Sequence, residues 1–349
     1  MHVGRERTVY RPCDDRAPRQ QPTPARPAAP ALWASALALE SAGDCPAAAR
    51  TARHAAAELR ATAGHHDAPG ALICDGFAEL ADGTVERALQ ALEAGITWAE
   101  RESTPFWLAT ALALSGRAEL IRSRLPRAAT RLWHAHALAA RLDSDDPYLP
   151  PRTVLAADLA EALARTGSAR RAAEVLAEAR RNTARGTDQP ALDRAAATVR
   201  TTQGSPRAAA GELRRSLATG RQSPLERGRG HAALGWMERR ARRKAAARNA
   251  FEEALVHFTA AGCRPWLLRT RVDLADLDGS TRPLSAVERA VLARVTEGAS
   301  NREIARTVHL SVKAVEANLT RLYRRYAVTS RLELAQVLRN PRADAATET

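Results

Sequence analysis

A run of side chains in the last fifth of the chain combines cations, one carboxylate, a hydroxyl and a methyl at helical spacing. Lys313, Glu316, Ala317, Thr320, Arg321 and Arg324 recur every few residues, so at 3.6 residues per turn they share one side of a helix. Cations on such a face can pair with the phosphates of a polyanion. The carboxylate, hydroxyl and methyl groups can meet the polar and apolar edges of bases in a duplex groove. The other side of the same helix carries Val312, Val315, Leu319, Leu322 and Tyr326, a stripe suited to packing.

The neighbouring residues have to hold that helix in place. Ser285 is followed by Glu288, Ser300 by Glu303 and Ser330 by Glu333. Each pair has the form of a capping box, in which Ser accepts the N–H three residues on and Glu reaches back to the Ser N–H. A first helix then carries Val287, Val291, Leu292 and Val295 and stops at Gly298, which can adopt the left-handed conformation of a C′ residue. A second carries Ile304, Ala305 and Val308 and ends at the link His309-Leu310. Ser311 caps the third, and a fourth runs from about Arg331 to Leu338. Helix, short link and a basic, exposed second helix make a groove-reading unit. Residues 284–338 hold nine Lys or Arg against five Glu, a net of +4. That modest charge suits a module that binds as two copies.

Residues 284–338 resemble the C-terminal domain of the LuxR family of bacterial transcription regulators. The likeness rests on Leu284-Ser285, Glu288, Val291-Leu292, Gly298, Ser300-Asn301-Arg302-Glu303-Ile304-Ala305, Leu310-Ser311, Lys313, Val315, Val328 and Ser330-Arg331. The resemblance implies that Lys313, Arg321, Arg324 and Arg325 meet phosphates and that Glu316, Ala317 and Thr320 face the groove floor. It also implies that Asn301 and Ser311 donate to the DNA backbone from helix N-termini. Leu334, Val337 and Leu338, on the fourth helix, are implied to form a two-fold contact; their plainer reading is packing on the first and third helices or on the upstream domain. Double-stranded DNA, a second copy of the chain on that DNA, and RNA polymerase are the implied partners. Arg324 and Arg325 also have a plainer reading, as a solvated helix end favoured by the macrodipole. The segment departs from the family at Ala314, at Asn318, whose amide keeps a polar group for a phosphate, and at Tyr326-Ala327. If position 327 needs a positive φ, Ala costs about 1 kcal/mol against Gly.

The whole chain has 349 residues and a net charge of +14. That length allows two domains or more, and that charge favours a polyanionic partner. Nearly every basic residue is Arg, only Lys244 and Lys313 being Lys, which with the abundant Ala points to a high-GC coding bias. Cys13, Cys45, Cys74 and Cys263 are far apart, and His65-His66 and His134/His136 lie near no ligand-spaced group. Neither a metal site nor any other cofactor is expected. No apolar run is long enough to span a membrane and no secretion signal opens the chain, so a cytoplasmic, nucleoid-associated location is expected. Asp14-Asp15 lacks the α/β context of a phospho-receiver. With no phosphate-binding loop or nucleophile–base motif either, the chain is expected not to be an enzyme.

Upstream, residues 1–30 read as a disordered Arg/Pro-rich tail and 31–279 as a helical-repeat region. Pro46, Pro105, Pro126, Pro151, Pro190, Pro206, Pro224 and Pro265 each open an Ala/Leu/Arg run, where a first-turn proline costs no hydrogen bond. Gly43-Asp44, Asp82-Gly83, Gly167-Ser168, Gly204-Ser205 and Gly262 break the runs. The breaks recur every 35 to 50 residues or so, near the tetratricopeptide period. A linker at 280–283 and a second disordered tail at 339–349 complete the division. Arg242 to Gly279 resembles the end of the helical region of MalT-like regulators, whose ATPase module is not represented. The expected fold is all-α: a tetratricopeptide-like α-solenoid followed by a four-helix LuxR-type helix-turn-helix domain. The expected function is a sequence-specific DNA-binding transcription regulator, an activator, with an effector or protein ligand on the repeats. The alternative is a helical-repeat protein–protein adaptor with a degenerate DNA-binding domain.

Overall fold

The computed structural model describes residues 29–62, 68–142, 149–182, 189–219, 222–277, 285–325, 328 and 330–339. The described residues contain helices and no strand. The tails and linker expected at 1–30, 280–283 and 339–349 lie outside them, except Ala29, Pro30 and Arg339, which belong to helices.

Six helical hairpins and a closing helix make up residues 29–277. They are α1 (Ala29–Ala42) with α2 (Cys45–Thr62), α3 (Ala68–Ala81) with α4 (Val85–Arg101), and α5 (Pro105–Ile121) with α6 (Leu125–Ala139). Next come α7 (Arg152–Arg165) with α8 (Ala169–Asn182), α9 (Gln189–Thr202) with α10 (Pro206–Thr219), and α11 (Pro224–Arg240) with α12 (Lys244–Ala260); α13 (Arg264–Leu277) ends the array. The sequence dictates the links. Gly43, Gly83, Gly167, Gly204 and Gly262 all take positive φ, and so do the non-glycine residues Ser103, Ser123 and Arg242. After each, the next N–H turns back to the carbonyl five residues earlier, as in Asp44 to Leu39 at 2.9 Å, Ser168 to Leu163 at 2.8 Å and Arg243 to Glu238 at 2.9 Å. This is the Schellman closure, which satisfies the last carbonyls of one helix before the next begins.

Odd and even helices play different parts. In α7 every residue from Leu155 to Ala164 is buried, whereas α8 buries Ala172, Val175 and Leu176. The odd helices therefore form an inner layer and the even ones an outer layer with one apolar stripe. Alanine fills much of the interface and lets helices approach closely. Three aromatics are spent inside: Trp33, Phe77 and Trp107 cluster between α1, α3 and α5, with Trp33 edge-on to Phe77 at 5.3 Å.

The inner layer also buries charge. Arg117 of α5 donates to Asp158 of α7 at 3.0 Å and to Glu40 of α1 at 2.9 Å. Arg194 of α9 donates to Glu161 of α7 at 2.6 Å and to Glu226 of α11 at 2.8 Å, and Arg229 of α11 completes the cluster on Asp158. Five inner helices thus converge on one hub, whose pairing offsets the cost of removing those charges from water. Burial alone would push the Asp158 carboxyl up, but Arg229, Arg117 and Arg194 overcome it and hold it at about 2.

An α-solenoid was expected, with each pair packing on the next. The array also closes on itself. The Cys45 N–H at the start of α2 donates to Ala261 O, beyond the end of α12, at 3.1 Å. Cys45, Ala254, Phe258, Ala261 and Cys263 form one buried cluster across that seam. Arg269 of α13 donates to Ile121 O at 3.3 Å and to the Ser123 hydroxyl. Terminal repeats leave apolar faces that need covering, and here the two ends cover each other. The remaining helices, α14 (Ala286–Thr296), α15 (Asn301–Thr307), α16 (Val312–Arg325) and α17 (Arg331–Arg339), build a second core of their own.

Candidate nucleic-acid interface

The capping boxes expected at Ser285 and Ser300 are both formed. Ser285 Oγ accepts Glu288 N–H at 3.1 Å and Ser285 N–H donates to the Glu288 carboxylate at 2.7 Å. At Ser300 the same two bonds, with Glu303, measure 3.4 and 2.6 Å. The Ser300 N–H holds the Glu303 carboxyl below its usual range. Ser311 caps α16 through Ala314 N–H at 3.1 Å, and Ser330 caps α17 through Glu333 N–H at 3.2 Å. Gly298 ends the first helix with φ 84°, and His309 turns the α15–α16 link with φ 53°. These caps fix where α16 begins and therefore which of its residues face outward.

Val291, Leu292, Val295, Ile304, Ala305, Val315, Leu319, Leu322, Leu334 and Ala335 form the core. Two expected members stay outside it: Val287 and Val312 are each 38% exposed. Both lie in the first turn of their helices, before the chain has come down onto its neighbours. Tyr326 lies outside the described residues.

Lys313, Glu316, Ala317, Thr320 and Arg321 are all exposed on α16. The Thr320 hydroxyl donates to Glu316 O at 3.0 Å. Asn318 was expected to offer its amide to a phosphate; instead it is 6% exposed, donates to Ala314 O at 2.8 Å and accepts from Arg321 at 2.7 Å. Its place three residues after Val315 and four before Leu322 puts it on the packed stripe. It acts on the outer face only by tethering Arg321. Ser311 is exposed and spends an acceptor pair on its cap, leaving its O–H free to donate. Asn301 is half-buried and its carbonyl oxygen accepts from Arg331 at 3.0 Å. The backbone at Arg324 and Arg325 continues α16, but their side chains lie outside the described residues, as do those of Val337 and Leu338. Leu334, expected at a two-fold contact, is fully buried in the core of its own unit. Among the described side chains of α17, the exposed apolar one is Leu332, at 69%.

Two features escaped the reading by spacing. Arg331 bonds both Asn301 and the Ala299 carbonyl, clamping the start of α17 to the start of α15. Its partners are some thirty residues away in sequence, so no local pattern announces them. Arg302 and Arg306 are exposed on α15 and line a shallow groove with Ser311 and Val312. They place cationic charge beside the N-terminus of α16, where backbone N–H groups already favour anions.

Residues 282–338 match the family model of bacterial regulatory proteins, luxR family (GerE). They constitute a LuxR-family helix-turn-helix domain. The chain is also similar to the protein named "Putative HTH-type transcriptional regulator YhjB" of Escherichia coli (strain K12), at 37% identity over 73 residues. That stretch is 21% of this chain and 34% of the relative, so the match spans about a third of the relative's length.

Proposed function

We propose that this chain, which carries a LuxR-family helix-turn-helix at residues 282–338, is a sequence-specific transcription regulator that reads the major groove with α16. One observation supports the reading above all. The outward face of α16 carries Lys313, Glu316, Ala317, Thr320 and Arg321, exposed and held at a fixed orientation by the caps and core behind it. Glu316 can accept from cytosine N4, and the Ala317 and Thr320 methyls can touch thymine. Lys313, Arg321, Arg324 and Arg325 set the register on phosphates, joined by Arg302 and Arg306 from α15 and by donors of Asn301 and Ser311. We assign the two-fold contact on DNA to Leu332 with Val337 and Leu338, because Leu334 is consumed by the core. Activation through RNA polymerase and action in the cytoplasm belong to the same proposal. Among the described residues no helix is long and apolar enough to cross a membrane.

Selection from random or genomic duplexes, followed by a salt titration, tests it. The expected product is a set of short inverted repeats. Affinity should fall linearly in log salt, by about 0.9 log units per log unit of salt for each phosphate neutralised. Equal binding to every duplex, or none at 50 mM salt, sinks the reading and leaves the repeats as a protein-binding adaptor.

A further inference from the structure

The closed repeat array holds a partly open cavity of about 250 Å³. At the roughly 30 Å³ that one water takes up in the liquid, it has room for about eight non-hydrogen atoms. Its charged lining comes from α1, α5 and α11. Glu40 and Arg117 form one ion pair at 2.9 Å, and Glu226 and Arg229 approach each other at 3.9 Å. Each carboxylate is about one-fifth exposed, at 20% and 19%, while the guanidinium side chains are at 10% and 5%. Val154, Ala191 and Leu225 supply an apolar wall. Trp266 closes the cavity, with Arg229 stacked 4.8 Å from its ring centre. Behind that stack lies a second chamber of about 50 Å³, where Nη2 of the buried Arg194 makes no hydrogen bond.

From this lining we infer that the cavity binds a small zwitterion, a free amino acid or a molecule of that size bearing one ammonium and one carboxylate. The two carboxylates and two guanidiniums cancel, so the walls present both signs and no net charge. A simple anion meets Glu40 and Glu226 as well as the arginines, and a simple cation meets the reverse. In a poorly solvated space either mismatch is costly. A guest with both charges makes a charge-assisted bond at each end. A neutral polyol gains neither.

The guest would touch α1, α5, α7, α9, α11 and α13 together. It would thus hold the seam shut at α13, the last described helix before α14. That regulatory consequence rests on the proposed function; the binding itself does not.

Titration calorimetry on the full chain tests the site, using each of the twenty free amino acids. For any that binds, its decarboxylated amine and its N-acetyl acid follow, with glucose as the neutral probe. At least one amino acid is expected to bind with Kd at or below about 1 mM, and both single-charge analogues at least about tenfold more weakly. E40Q should weaken binding by about tenfold or more. Because E40Q also touches the hub, V154W provides a second variant: it fills the cavity from the apolar side and should abolish binding without lowering the thermal midpoint. No binding by any amino acid at 10 mM overturns the inference. So does equal binding by an N-acetyl acid or by glucose, or unchanged binding in a folded V154W. Operator affinity measured in parallel separates the two claims. A chain that binds amino acids but no DNA keeps the site and loses the regulator reading. One that binds its operator but no amino acid does the opposite.

Discussion

Thr320 bonds the backbone of its own helix at Glu316, and Arg321 is steered by the buried Asn318, so the outward side chains of α16 are not equivalent. On the proposed reading, Glu316→Ala and Thr320→Ala remove groups aimed at base edges. Each should change the selected sequence, with a loss of about 1–3 kcal/mol confined to the affected base pair. On the same reading, Arg321→Ala removes a phosphate contact. It should weaken binding evenly across sequences and lower the salt slope by about one unit. If the two sets of variants give the same profile in a binding-site selection, the division of roles fails. On α17 the two leucines are expected to diverge in the same way. Leu334→Ala empties the core and should cost about 2–5 kcal/mol of domain stability. Leu332→Ala should leave urea unfolding unchanged and reduce cooperative binding to paired half-sites; an unfolded L332A, or unaltered cooperativity, contradicts that assignment. Most of this face was legible in the sequence, because the 3.6-residue period separates Val315, Leu319 and Leu322 from Lys313, Glu316 and Thr320. Asn318 was misjudged because its polarity argued outward while its spacing argued inward, and spacing decided.

The helix boundaries show where local sequence rules suffice. First-turn prolines and left-handed glycines announce most of the hairpins, since both act through the backbone of a few adjacent residues. Ser103, Ser123 and Arg242 take φ of 55°, 57° and 60° without glycine, so these links carry no visible mark. The left-handed conformation is imposed by the Schellman bonds and by packing on either side. Replacing Ser103 or Arg242 by Gly should therefore stabilise the array by a few tenths to about 1 kcal/mol each, after allowing for the greater unfolded-state entropy of Gly. Gly43 has the opposite sensitivity. Its φ is +88°, and a Cβ there would lie 2.8 Å from Pro224 Cδ across the closure between α1 and α11. Gly43→Ala should cost more than about 1 kcal/mol, and chemical denaturation of the three variants checks both directions. A neutral G43A would mean that the two ends of the array are not held together in solution.

Closure of the array is the property least visible in the sequence, because it joins residues more than two hundred positions apart. Cys45 and Cys263 share one buried cluster at the seam. A hydrogen bond from the Cys45 thiol to Cys263, together with burial, raises that thiol far above its ordinary value, and since the thiolate is the reactive form, alkylation should be slow in the native chain and fast in urea. Rapid native labelling would mean an open seam. The hub at Asp158 makes a stronger demand on the same closure, since it joins α5, α7, α9 and α11 through one carboxylate that is 1% exposed. The folded carboxyl titrates near 2 and its ordinary value is 3.8. The folded state thus binds this proton less readily than the unfolded state does. The resulting stability is fully present above about pH 4 and is lost as pH falls toward 2, a contribution on the order of 2 kcal/mol. Asp158→Asn keeps the shape but leaves Arg117, Arg194 and Arg229 without their shared counter-charge, and at neutral pH should cost about 3–5 kcal/mol. Because protonating Asp158 does to the wild type what the substitution does permanently, the gap between the two proteins should narrow steadily between pH 4 and pH 2. Urea unfolding at pH 7, 4 and 2.5 measures that gap directly. A gap that stays constant across the three would show that the three arginines do not depend on this carboxylate, and that the inner helices are held by their alanine and leucine surfaces alone.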